Sequence, residues 1–168
     1  MNSVLSSLIF DPTKGEISYQ GIRYLLIRPE TLATWQKGVE KALGSNAGEI
    51  IFEGGREGGS LSARTFRDKH GYSSREIVDF MTRMGTEIGW GQMKVLKHNE
   101  ETKRFVIEVS DSPFAAAYGN SSAGVCHLIR GVMAGVGEGI FGDPVEARET
   151  SCLAMGNQTC RFIIEGLK

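Results

Sequence analysis

A chain of 168 residues suits one domain, and 40% apolar against 23% charged residues excludes the low-hydrophobicity, high-charge character of a disordered segment. The 19 basic and 20 acidic residues nearly cancel and nowhere gather into a basic patch, which disfavours direct nucleic-acid binding by this domain on electrostatic grounds. No run approaches the roughly 18 apolar residues of a membrane span, and the stretch from Met1 to Pro12 has no positive leader and is interrupted by Ser6, Ser7 and Pro12, so the expected location is the cytoplasm.

Residues 1–15 precede the first patterned segment and are expected to form a flexible N-terminal arm of a single domain spanning 1–168. Glu16 to Ile27 predicts a hairpin turning at Gln20-Gly21, with Ile17 and Tyr19 on one face of its first strand and Ile22, Tyr24 and Leu26 on one face of its second. Pro29 opens a helix, because its fixed φ and missing N–H suit a first turn. Leu32, Trp35, Val39 and Leu43 then recur at helical spacing until Gly44 stops it. From Glu49 the pattern is ambiguous, since Ile50, Ile51 and Phe52 could start a strand, and it is read as a glycine-interrupted helix reaching about Lys69. Its paired glycines are not followed by Lys-Ser/Thr, which disfavours a phosphate-cradling loop.

Ser73 or Ser74 caps the next helix, with Glu76 in its first turn, Ile77, Phe80, Met81, Met84 and Ile88 as its buried stripe, and Gly89 at its end. Met93 and Val95, then Phe105, Ile107 and Val109, alternate around a polar turn from His98 to Lys103 and predict a second hairpin. Pro113 and the segment Tyr118 to Ser122 read as a connection. Ala123 to Ile140 is apolar on most sides, and Gly131, Gly135 and Gly139 lie four apart along one helical line, where another backbone could approach. Two strands, Val145 to Cys152 and Thr159 to Ile164, close the chain around a turn holding Gly156 and Asn157. Hairpins with helices between them, and no regular βα alternation, define an α+β class: an antiparallel β-sheet with helices packed on it. The same lack of βαβ units disfavours a dinucleotide site at the glycine-rich helix.

Three cysteines, an odd number, argue against a disulfide framework and towards metal or thiol chemistry. A hairpin closing at Gly156 sets Cys152 across from Cys160. Cys126, near the start of the glycine-rich helix, can bring a third thiolate, and Glu149 a carboxylate. Glu149 and Cys152 are three apart and would face opposite ways in a regular strand, so a bulge or strand end near Thr150 is required. Spacing alone leaves metal ligands and small buried hydrophobes equally open for these cysteines. His127 is a substitute ligand whose plainer role is a helix-surface or hydrogen-bonded histidine, and an iron–sulfur cluster is a further alternative. Three thiolates and one carboxylate would fill a zinc tetrahedron and leave no position for water, which is structural rather than hydrolytic chemistry.

The chain resembles the 4-vinyl reductase-like domain family at Gly89-Trp90-Gly91, at Ser112-Pro113-Phe114-Ala115, at Cys126 with Gly131 and Gly135 after it, and at Glu149, Cys152, Gly156, Cys160 and Phe162. That family includes domains of bacteriochlorophyll-synthesis proteins and the sensor regions of phenol- and xylene-responsive transcription activators. The resemblance implies an antiparallel sheet with helices on it, related to the ligand-binding fold of Golgi vesicle-tethering subunits, and a homodimer. It also implies a structural zinc ion on Cys126, Glu149, Cys152 and Cys160. In the aromatic sensors a His and a Trp hold the ligand hydroxyl. Here His98 falls in a predicted turn, and the strand where an indole is expected carries Phe105 and Ile107, so that mechanism is not expected to transfer.

The expected function is binding or sensing of a small hydrophobic or aromatic molecule, with Phe80, Met84, Trp90, Phe105, Ile107, Phe114, Tyr118 and Met133 as candidate pocket walls, although each also suits an ordinary core. Two other readings are a tetrapyrrole carrier or accessory protein in (bacterio)chlorophyll-type metabolism and a structural dimerisation module without ligand. The reductase that the family's name suggests needs a hydride source. With neither a nicotinamide fold nor a flavin signature in the sequence, an enzyme is the less favoured reading.

Overall fold

Gln20 and Gly21 both adopt left-handed φ, 49° and 77°, the backbone a tight two-residue hairpin needs. They join β2 (Glu16–Tyr19) to β3 (Ile22–Tyr24) in the computed structural model, which describes residues 4–167. Within the segment read as an arm, Leu5–Ser7 forms a 3-10 turn, Val4 is buried, and β1 (Ile9–Asp11) pairs antiparallel with β2. Residues 1–3 of that expected arm lie outside the described residues. The result is a three-stranded sheet in the order β1-β2-β3.

Helix α1 (Pro29–Leu43) starts at its proline and stops at Gly44, where φ turns to 60°. The predicted apolar stripe is helical but is not the buried face. Trp35 and Leu43 are exposed, Leu32 and Val39 are half-buried, and the fully covered positions are Ala33 and Gln36. Periodicity reveals which residues share a face, whereas the neighbours decide whether that face is covered.

Helix α2 (Ala47–His70) lies alongside α5 (His127–Phe141), and their glycines set the spacing. A Cβ on Gly55 would sit 2.5 Å from the Leu128 carbonyl oxygen, and a Cβ on Gly135 would run into the backbone of Arg56 and Ser60. Only glycine permits two helix backbones to approach this closely. Helix α3 (Ser74–Glu87) begins with a full capping box: the Ser73 hydroxyl accepts from the Glu76 N–H, and the Glu76 carboxylate accepts from the Ser73 N–H. Its predicted stripe is buried at Ile77, Phe80, Met81 and Met84.

The larger sheet contains β4 (Gln92–Asn99), β5 (Arg104–Ser110), β6 (Val145–Ser151) and β7 (Cys160–Gly166), in the antiparallel order β4-β5-β7-β6. Phe105, Ile107 and Val109 of β5 and Phe162 and Ile164 of β7 join Ile129, Met133 and Val136 of α5 in one buried cluster, which is the core of the α+β fold. Pro113 and Tyr118, both expected in a connection, are instead the first and last residues of a short helix, α4 (Pro113–Tyr118). Ser112 caps it by accepting from the Ala115 N–H, and Pro113 fits the first turn without a missing bond. No helix among the described residues is long and apolar enough to cross a membrane.

Candidate metal centre

Cys126 occupies the N-cap position of α5, Glu149 lies on β6, Cys152 follows β6, and Cys160 begins β7. Register along β6–β7 shifts between Glu149 and Ser151, leaving Thr150 as an extra residue. That is the bulge required for Glu149 and Cys152 to turn to the same side. The donor atoms of Cys126, Glu149, Cys152 and Cys160 all lie within 4.8 Å of one another.

The sulfur separations are 3.7 Å for Cys126–Cys160, 3.8 Å for Cys152–Cys160 and 4.0 Å for Cys126–Cys152. Zinc–sulfur bonds of about 2.3 Å in a regular tetrahedron give edges of about 3.8 Å. The three thiols already mark one face of such a figure, far beyond the roughly 2.05 Å of a disulfide, and all three cysteines are unpaired. Glu149 supplies the fourth corner. Its Oε2 accepts from the Cys126 N–H at 3.0 Å, while its Oε1 is buried with no hydrogen-bond partner. A buried carboxylate oxygen without a partner is costly unless something cationic meets it.

Protonation behaviour supports the same interpretation. Burial first, and then the contact with Cys152, pushes the Glu149 carboxyl up to about 8. Sulfur contacts with Cys152 and Cys160 push the Cys126 thiol up, and the contacts with Cys126 and Cys152 bring Cys160 down. In one dry space only part of the donor set ionises without a cation. A divalent ion of tetrahedral preference therefore fits the residues present.

The supporting contacts escaped the sequence reading. Ser112 is fully buried with its hydroxyl 3.7 Å from the Cys126 sulfur, the Leu153 N–H points at the Cys160 sulfur at 3.3 Å, and Asn157 Oδ1 accepts from the Cys152 N–H. Gly124 also matters, because a Cβ there would meet Glu149 Oε2 at 2.5 Å. The Ser-Pro step before α4 was a legible capping signal, whereas nothing local marked Gly124. His127 stands apart from the tetrad and lies against Gly48 of α2. Burial, then Arg130, lowers its pKa.

The eight expected wall residues divide by depth. Phe80, Met84, Phe105, Ile107 and Met133 are buried, and Trp90, Phe114 and Tyr118 are half-buried around α4. Trp90 and Phe114 meet edge to face at 5.5 Å, and the Tyr118 hydroxyl donates to Glu40 at 2.6 Å. Two surface recesses, of about 540 and 430 Å³ and lined mostly by charged and polar residues, involve none of the eight. His98, expected in the turn, lies on β4 opposite Phe105. Its Nε2 is buried and unpartnered, and burial lowers its pKa.

An antiparallel α+β domain closed by a buried cluster of three thiols and a carboxyl defines the class. Residues 105–166 match the V4R domain family, which bears out the resemblance over that segment. No curated protein matches the chain. Among solved structures, the phenol-responsive sensory domain of the transcription activator PoxR with phenol is similar over 97% of this chain and 86% of its own, at 22% identity and a TM-score of 0.82. A vinyl-4-reductase family protein from Methanocaldococcus jannaschii aligns over 86% and 84%, at 17% identity and a TM-score of 0.59. Trafficking protein particle complex subunit 3 from Naegleria fowleri, covalently bound to palmitic acid, aligns over 83% and 95%, at 14% identity and a TM-score of 0.61. The fold is common to all three.

Proposed function

We propose that this domain binds and senses a small hydrophobic or aromatic molecule, and that a structural zinc ion on Cys126, Glu149, Cys152 and Cys160 closes its C-terminal half. The observation that carries the metal reading is the triangle of sulfurs at 3.7, 3.8 and 4.0 Å with the unpartnered Glu149 oxygen beside it. When bound, zinc would be fully ligated by protein and heavily neutralised, which makes it a poor Lewis acid and a cross-link between α5 and the last hairpin. Ligand binding draws support from the fold shared with a phenol-responsive sensory domain and with a palmitate-carrying subunit. The wall would be Phe80, Met84, Trp90, Phe105, Ile107, Phe114, Tyr118 and Met133, opened from the closely packed arrangement seen here. Three buried, unpaired thiols suit a reducing compartment such as the cytoplasm.

A dimerisation role has its own support. Ile9, Phe10, Leu25, Leu26, Ile27 and Trp35 are each more than half exposed, and a second copy of this chain would cover them. Native mass spectrometry of zinc-replete protein tests metal and subunit number together, with one zinc per chain in a two-chain particle expected. Titration with phenol and with palmitate, followed by tryptophan fluorescence, tests the pocket. Metal-free protein overturns the zinc reading, and an emission unmoved by either compound overturns the sensing one.

A further inference from the structure

One peptide unit connects the metal centre to helix α1. The Val125 carbonyl and the Cys126 N–H belong to the same rigid plane. The N–H donates to Glu149 Oε2 at 3.0 Å, and the carbonyl accepts from the Gln36 side-chain amide of α1 at 3.1 Å. Both ends of that plane are therefore held, one by a member of the donor tetrad and the other by a helix remote in sequence. Its orientation sets where the Cys126 sulfur points.

Gln36 is unusual in its setting. It is one of three buried polar side chains among the described residues, 9% exposed, and with Ala33 it is all that α1 fully covers. Its amide also donates to Glu40 Oε1 at 2.9 Å, while Glu40 Oε2 accepts the Tyr118 hydroxyl at 2.6 Å. The acceptor Glu40 orients the amide, and the amide orients the peptide. Bonds linked in this way polarise one another in a dry interior. A buried amide that lost Val125 would be left partly unsatisfied.

We propose that Gln36 is a positioning residue of the metal centre, and that the seating of α1 on the domain is thermodynamically coupled to metal occupancy through the Val125–Cys126 peptide. The inference rests on the metal reading above. Coupling of this kind is reciprocal: an ion that fixes Cys126 and Glu149 strengthens the grip on Gln36, and a seated α1 tightens the ion. Tyr118, one of the expected pocket walls, sits at the other end of the same chain of bonds, so α1 would register both sites.

Cobalt(II) tests the idea, because its visible spectrum reports tetrahedral thiolate ligation without any assay of activity. The wild-type chain should develop that spectrum. Gln36→Met, which keeps the volume and removes the donor, should bind cobalt about tenfold more weakly, as loss of a supporting hydrogen bond usually does. Its Tm should fall more with metal than without, since a merely structural residue would lower both alike. Equal cobalt affinity in the two proteins overturns the inference and leaves the metal reading standing, while a wild-type chain that takes up no cobalt removes both. Should Gln36→Met not fold, hydrogen exchange in the wild-type protein decides. Chelation should speed exchange of residues 33–43 more than of residues 51–63, and equal acceleration of the two segments overturns the coupling.

Discussion

Residues 9–43 and residues 105–166 place their apolar side chains in opposite ways. In the second region Phe105, Ile107, Val109, Ile129, Phe162 and Ile164 are wholly buried, whereas in the first Leu25 and Leu26 are 76% and 82% exposed and Trp35 is 54% exposed. Covering a leucine-sized side chain stabilises by about 1.5–3 kcal/mol, so the N-terminal layer leaves much of that term uncollected. It is held partly by polar contacts such as Gln36 to Val125 and Tyr118 to Glu40, and by Tyr19 stacked on Phe80. The difference teaches that the C-terminal region has its apolar face covered within the chain, by α2 and α3 among others, while the N-terminal layer leaves its own uncovered.

The largest test of that contrast is the tetrad. Cys160→Ser should abolish stoichiometric metal and lower stability by about 4 kcal/mol or more, roughly 10 °C in Tm for a chain of this size. Calorimetry with and without a chelator measures it, and an unchanged Tm would show that the C-terminal region needs no ion to close. Next comes the glycine contact. Gly135→Ala should cost about 1–3 kcal/mol, because its Cβ enters the backbone of Arg56. Gly54→Ala, on the same helix pair but with open space around it, should gain about 1 kcal/mol from helix propensity alone. Chemical denaturation of both variants reads the sign directly, and a destabilised Gly54→Ala would contradict this account of α2–α5 packing.

The third test addresses the exposed layer. Leu26→Glu combined with Trp35→Glu should convert a two-chain particle into single chains with little change in the stability of each, since exposed substitutions away from special features stay within about 0.5 kcal/mol. Sedimentation of wild type and variant decides this. A wild type already single overturns the dimer reading.

Much of this arrangement was legible in the sequence for identifiable reasons. Gln20-Gly21, Pro29, Gly44, Ser73 and Glu76 are local signals whose conformational demands do not depend on the rest of the chain, and each marks a turn or helix end where expected. The bulge at Thr150 followed from parity alone. What could not be read was which face of α1 is covered, because Leu32, Trp35, Val39 and Leu43 satisfy helical spacing whether or not anything packs on them. The same holds for Gln36, Ser112 and Gly124, whose roles arise from contacts with residues far along the chain. Helix α4 was missed because a helix of six residues leaves too little periodicity to detect.

The smallest expected effect compares how two helices begin. α3 opens with reciprocal bonds between Ser73 and Glu76, while α1 opens at Arg28 with no side-chain cap. The Ser73 hydroxyl, then its N–H, hold the Glu76 carboxyl below the ordinary glutamate range. A depressed carboxyl contributes stability that is present above its unfolded-state pKa and is lost as pH falls through the folded one. Loss of the N-cap hydroxyl in Ser73→Ala should cost about 1 kcal/mol near neutrality; separately, the direction of the Glu76 shift means that the gap from wild type should narrow in acid, where the wild type loses its half of the box as well. Arg28→Ala, which removes only an exposed ion pair with Glu30, should stay within about 0.5 kcal/mol across the same range. Urea titrations of both variants at neutral and acidic pH make the comparison. Equal, pH-independent losses would mean that α1 is anchored at its first turn as firmly as α3, and that its attachment does not depend on the Gln36 contact further along the helix.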